Sequence, residues 1–317
     1  MLTALLIIAC LFLTVSYIIY RLGFYTPNKS QLEGLAHENK PDPDETHKMV
    51  TRWAAALETK PYELLEIRSY DGLRLHGRYY HQADGAPLLI GFHGYRGTPS
   101  WDFSGGSSLY SGLGFNILLI EERGHCSSEG HTITFGVKER RDCISWAEYA
   151  VSRFGEDTPI IIAGISMGAA TVLMASGLKL PKNVKGIIAD CPFTSPKEII
   201  DKVTEKDLKI PARLAYPFTW TAAFLFAGFR LNEADAASAV RNTPVPVLLV
   251  HGEADDFVPI EMSRKIHASN PDMIEFHTFP GAGHGQSCVV DFDRYKKIIT
   301  DFTDRVLKAP EQEESTL

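Results

Sequence analysis

The chain has 317 residues, 39 acidic against 32 basic side chains, a net charge of −7, and is 44% hydrophobic and 22% charged. Such a balance belongs to an ordinary globular protein long enough for one large α/β domain or two small ones, and it argues against disorder over most of the length. No basic stripe is present to neutralise phosphates, so nucleic acid is not an expected partner.

Leu2 to Tyr20 carry no charge and are followed by Arg21. At about 1.5 Å per residue this stretch spans roughly 28 Å, close to the roughly 30 Å hydrocarbon thickness of a bilayer. A cleaved signal peptide is the competing reading, but it has a basic start, a shorter apolar core and small residues before the cut. Here nothing basic precedes the run, and "SYIIYRLGFY" is bulky. The expectation is a retained single-pass anchor over residues 1–21, with Tyr17 and Tyr20 at the interface. The few cations that follow (Arg21, Lys29, Lys40) lean toward a cytoplasmic catalytic domain.

Residues 22–50 read as a linker, polar and Pro-punctuated from Thr26 to Lys48, and a domain over 51–310 follows. "YELLEIRS" and "LRLHGRYYH" flank the turn signal "YDG" and predict an antiparallel hairpin. "APLLIGFHG", "FNILLIEE", "TPIIIAGIS", "VKGIIADCPF" and "VPVLLVHGEAD" are nearly unbroken apolar runs, as strands covered on both faces are, and "MIEFHTFP" predicts a last strand. The stretches 136–155, with a polar and an apolar face, 167–177, 260–269 and 291–309 predict helices between and after them. The alternation implies an α/β fold with a mostly parallel sheet and helices on both faces. About fifty residues, 194–243, contain no clear strand and are expected to form an inserted helical cap. Its aromatics suit cap core or an acyl pocket, while "YPFTWTAAFLFAGFR" is too short and interrupted to cross a membrane. The acidic tail 311–317 is expected to fray.

The chemistry starts at "GISMGA", 164–169, where a strand becomes a helix. Gly164 and Gly168 permit a turn sharp enough to lift Ser166 above the carboxyl ends of the strands, with a helix N-terminus beneath it. An alcohol needs a base to attack, and the base needs an acid to hold its tautomer. "HGEADDFVP" puts Asp255 and Asp256 at a strand end, and "GAGHG" puts His284 in a flexible loop after the last strand. The order Ser, Asp, His is that of the nucleophile-elbow class. His93, His125 and His251 are expected to order loop backbone, and Arg96 either attracts an anion or caps its own loop. The five cysteines, Cys10, Cys126, Cys143, Cys191 and Cys288, show no CxxC or zinc-type spacing. No metal site, disulfide framework or cofactor is therefore expected.

With these residues in view, the sequence resembles the α/β-hydrolase family, in the membrane-anchored esterase-like branch related to serine aminopeptidases. The resemblance covers about residues 60 to 308 and rests on "FHGYRG", "EERGHCSSEG", "GISMGA", "ADCPFTS", "HGEADDFVP" and "GAGHG" in order. It implies an α/β-hydrolase fold with a short cap. Ser166 takes the place of the nucleophile, Asp255 that of the acid and His284 that of the base, with the backbone N–H groups of Tyr95 and Met167 as oxyanion donors. The implied activity is cleavage of an ester or thioester of a small-molecule or lipid-like acyl substrate. An aminopeptidase would need a carboxylate near the site, for which Glu198, Asp201, Glu205 and Asp207 are candidates. A membrane-tethered binding protein without the reaction is the reading outside enzymology.

Overall fold

A computed structural model describes residues 1–26 and 45–308. Most of the expected linker and all of the expected tail lie outside the described residues.

The elements in chain order are α1 (Leu2–Gly23), α2 (Glu45–Glu58), β1 (Glu63–Arg68), β2 (Arg74–Tyr80), β3 (Leu88–Phe92), α3 (Pro99–Asp102), α4 (Ser104–Gly112), β4 (Asn116–Glu121), α5 (Glu139–Phe154), β5 (Ile160–Ile165), α6 (Met167–Ala175), β6 (Val184–Asp190), α7 (Pro196–Lys202), α8 (Ala212–Thr221), α9 (Ala236–Ala239), β7 (Val247–Gly252), α10 (Ile260–Ser269), β8 (Ile274–Phe279), α11 (Ser287–Val290) and α12 (Phe292–Lys308). The strands form one sheet in the order β1-β2-β4-β3-β5-β6-β7-β8. β1 and β2 make the expected hairpin, β2 also runs antiparallel to β4, and the remaining pairs are parallel. The fold is that of an α/β hydrolase.

Strand side chains alternate between two layers, as the two-residue period requires. Ile90, Ile162, Ile187 and Leu249 enter the core shared with α5 and α6, whereas Leu89, Ile161, Ile188 and Leu248 enter the core shared with α4 and α12. Both faces are thus dry, which is why the central strands lack polar alternation. The segment that makes α3 and α4 has no such signal, because "PSWDFSGGSSLYSG" is small and polar; Thr98 caps its start by accepting from the Trp101 N–H.

α1 does not end where its apolar run ends. Phe24, just beyond it, is 2% exposed and packs edge-on against Phe135 and Phe229 in the domain core. The Thr26 hydroxyl donates to the Gly124 carbonyl at 2.8 Å. The open carbonyls of the last turn are also taken up: Arg96 Nη2 donates to Leu22 O at 2.8 Å and to Tyr25 O at 3.2 Å, and the Tyr95 hydroxyl donates to Gly23 O. A cation at a helix C-terminus is favoured by the dipole as well as by the bonds. This is a role outside both expectations for Arg96: its guanidinium ties down the end of α1.

Residues 196–242 hold helices and no strand. Pro196 opens α7 and Ser195 caps it. α8 continues as a wide π-type turn over Ala222–Ala227, which Gly228 ends in the left-handed conformation (φ 70°).

Candidate active site

Three loops at the carboxyl ends of the parallel strands meet at one point. The first is the turn from β5 to α6, where Ser166 has φ 55°, a strained region for any residue with a Cβ. Two glycines permit it. A Cβ on Gly164 would lie 2.3 Å from Gly168 C and O, and one on Gly168 would lie 2.0 Å from Phe92 O. The Ser166 N–H is held by Asp190 O at 2.9 Å, so the elbow is also pinned to β6.

The second loop follows β7. Asp255 is buried and Asp256 exposed, so the adjacent carboxylates separate cleanly. Asp255 Oδ1 accepts from the N–H groups of Phe257 (3.0 Å) and Val258 (2.8 Å). The third loop, after β8, carries His284. Its Nδ1 donates to Asp255 Oδ2 at 2.7 Å, and Ser166 Oγ donates to its Nε2 at 2.8 Å. The structure thus brings Ser166, His284 and Asp255 into one hydrogen-bonded line and leaves Asp256 and Glu253 outside it. Burial pushes the Asp255 carboxyl up, but the bonds from His251, His284 and the Val258 amide outweigh it and hold the group well below the usual carboxylate range. It is an anion facing an imidazole.

The loop after β3 lies against the elbow: a Cβ on Gly94 would stand 3.3 Å from Ser166 Cβ. Its backbone donors are nearly all engaged. Gly94 N–H donates to Asp102, Arg96 N–H to His125 Nε2 at 3.1 Å, and Gly97 N–H to Gly94 O at 3.0 Å. Among the described residues, the Tyr95 and Met167 N–H groups donate to no protein acceptor. Those are the two amides expected as oxyanion donors.

The remaining histidines order backbone, as their HG and GHC contexts suggest. His93 is fully buried, which pushes its pKa down to about 4; neutral, its Nδ1 donates to Gly94 O and its Nε2 accepts from the Glu122 N–H. His251 does more: buried, it donates from Nε2 to Val258 O at 2.9 Å and stands 3.2 Å from Asp255 Oδ2. It braces the loop that presents the acid. Asp102 and Asp190 are two carboxyls that no sequence pattern singles out. Asp190 is buried and Asp102 partly so; desolvation raises each to about 6, and both line the cavity beside Ser166.

That cavity holds about 550 Å³. Its walls include Val50 and Trp53 of α2, Trp101, Phe257 and Val289, an apolar slot with Ser166 and His284 at its base. None of the lining residues lies between 194 and 243, so the expected cap borders the site without forming the slot.

Cys191, Asp255 and His284 offer three ligand atoms within 4.8 Å of one another. As a metal set they are poor. Burial beside Asp190 and Asp255 drives the Cys191 thiol well above its ordinary value, and both imidazole nitrogens of His284 are already engaged.

Residues 101–310 match the model of the prolyl oligopeptidase family. Among individual proteins, the chain is 25% identical over 198 residues to the uncharacterized protein YqkD of Bacillus subtilis, an alignment covering 62% of this chain and 65% of that protein. It is likewise 25% identical to the lysophosphatidylserine lipase ABHD12 of Danio rerio, over 71% of this chain and 59% of the lipase. Among solved structures, the Pyrococcus furiosus esterase Pf2001 superposes with a TM-score of 0.63 at 20% identity, covering 84% of this chain and 95% of the esterase. Est1E of Butyrivibrio proteoclasticus, solved with ferulic acid bound, superposes with a TM-score of 0.59 at 19% identity, over 77% of this chain and all of Est1E.

Proposed function

The chain belongs to the prolyl oligopeptidase family of hydrolases, and from that premise we propose that it cleaves a carboxylic ester or thioester through an acyl-serine intermediate on Ser166. The observation that carries this reading is the line Ser166–His284–Asp255, with bonds of 2.8 and 2.7 Å.

In this reading Ser166 Oγ attacks the acyl carbon while His284 Nε2 takes its proton, and the Asp255 anion balances the imidazolium that results. The tetrahedral oxyanion develops against the Tyr95 and Met167 amides. Its collapse breaks the bond to the alcohol or thiol, which leaves with the proton from His284. Water then enters by the same route, giving its proton to His284 and its oxygen to the acyl carbon, and Ser166 is regenerated. The apolar walls of the cavity suit an acyl chain or aromatic acid.

Amide cleavage at a free N-terminus lacks support from the acids expected to hold an amine. Glu198 pairs with Lys265, Asp201 with Lys197 and Asp207 with Lys202, while Glu205 accepts from the Ala212 N–H. The hydrolase unit in this reading is residues 51–310 with the cap at 194–243, held at a membrane by α1, a helix long and apolar enough to cross one.

The test is labelling of the full chain in detergent by a fluorophosphonate, together with turnover of p-nitrophenyl esters of graded acyl length. Wild type is expected to label and turn over at least one ester, and Ser166→Ala to do neither. Equal labelling of Ser166→Ala would sink the assignment.

A further inference from the structure

Residues 212–227 carry two opposite kinds of surface. Thr219, Ala222, Ala223 and Ala227 are buried, but Leu214, Trp220, Phe224 and Leu225 are exposed by 60, 38, 45 and 57%, with Trp220 stacked on Phe224 at 4.9 Å. Their successive spacings of six, four and one residues place the exposed four along one side of the helix. In water this would be an apolar stripe without a partner.

What lies beside it says what covers it. Phe12 packs on Phe218 (4.6 Å between ring centroids), and Tyr20 packs on Phe226 (5.9 Å). The pairs ascend together along both helices, so α1 and α8 run parallel, side by side. On α1 the uncovered positions beyond Phe12, Leu13, Val15 and Ile18, are apolar and at least 42% exposed. The surface of the uncharged N-terminal helix and that of the cap are therefore continuous.

The other flank of α8 is charged. Lys197 stands over the Tyr216 ring at 5.4 Å and pairs with Asp201, Glu198 reaches Lys265 on α10, and the Ile210 N–H donates to Thr204 O. This arm lies level with the first turns of α8, and burying its ions in hydrocarbon would be costly. Lys206, Lys209 and Arg213 alternate with the exposed Leu208, Ile210 and Leu214, the pattern of a segment set among lipid headgroups.

We propose that α8 and its continuation to Ala227 form a second membrane-contacting element, whose exposed stripe shares one lipid-facing surface with α1 at the level of a single leaflet. The occupant is a phospholipid bilayer. The charged arm limits how deep the pair sinks and keeps the remainder of the domain in water. Tyr95 and Arg96 line the cavity and bond the last turn of α1, so the slot opens one residue layer from that surface.

The chain has four tryptophans, and Trp220 is the one on the stripe. The full chain is reconstituted in phosphatidylcholine–phosphatidylglycerol vesicles containing phosphatidylcholine brominated near the top of its acyl chains. Emission of wild type is compared with that of Trp220→Phe, an exposed site where the fold tolerates the change. The expected result is loss of the Trp220 emission, taken as the difference between the two proteins, when brominated lipid replaces ordinary lipid. Undiminished Trp220 emission in vesicle-bound protein overturns the proposal, because α1 alone would then hold the membrane. A dimer in detergent with Trp220 protected from aqueous acrylamide also overturns it, assigning the stripe to a second copy. Neither outcome depends on the hydrolytic reading, since nothing in the experiment measures turnover.

Discussion

The phenolic hydroxyl of Tyr95 donates a 2.9 Å hydrogen bond to the carbonyl of Gly23, the last residue of α1. In the proposed mechanism the amide of the same tyrosine is one of the two oxyanion donors. One residue thus connects the end of the apolar helix to the loop beside Ser166, and Arg96 repeats the link through Leu22 and Tyr25.

Loosening that link is expected to lower kcat and spare KM, because it disturbs a donor that acts on the transition state. Tyr95→Phe, Arg96→Met and a chain lacking residues 1–26 should all show the effect on a soluble ester. Its ceiling is the about 10²- to 10³-fold loss seen when an oxyanion donor is removed outright. Unchanged kcat in all three would reduce the link to a tether.

The two adjacent acids should behave very differently. Asp255→Asn leaves the shape of the loop but removes the anion that fixes the His284 tautomer, and a loss of about 10⁴-fold in kcat is expected. Asp256 is exposed, so Asp256→Asn should stay near wild type. Steady-state kinetics on the pair decides it, and a large loss from Asp256→Asn would overturn the assignment.

At the elbow, Gly168→Ala sets a methyl 2.0 Å from a backbone oxygen that cannot yield. Urea unfolding is expected to show at least the about 1–3 kcal/mol cost of overpacking, together with loss of fluorophosphonate labelling as Ser166 is displaced. Full labelling at wild-type stability would mean that the turn is looser than its contacts indicate.

Asp102 and Asp190 give the protein an unusual dependence on pH. Both are raised from 3.8 to about 6 by burial. Between those values the native state holds more protons than the unfolded chain, so their contribution to stability falls as pH rises from about 4 to about 6 and is level above that. Asp255 is depressed, so its contribution is present above 3.8 and is lost only as pH falls further. Denaturation at pH 4.5 and pH 7 separates the two effects. Asp190→Asn is expected to flatten the decline between them, and an unaltered slope would show that Asp190 is ionised throughout.

The sheet was readable because each central strand is buried on both faces and so appears as an unbroken apolar run. Ser166, Asp255 and His284 were readable because a strand end, a loop and a glycine-rich turn each announce themselves locally. Asp102 was not, since it sits in a Gly/Ser-rich stretch where helix periodicity vanishes. His251 was expected to support loop backbone from a strand end, and it does so from the end of β7, but its second contact, to Asp255, depends on how the strand-end turn curls back. The bond between Tyr95 and Gly23 joins residues whose neighbourhoods share no pattern, and only the folded chain brings them together.

Phe24 lies between Phe135 and Phe229. One wall of the pocket that receives Phe24, Phe229, follows in the chain only after thirteen more strands and helices. Pairings this distant in sequence close slowly. With α1 lodged in a bilayer, as proposed, the last steps of folding would take place at the membrane surface, the domain closing around the end of the helix.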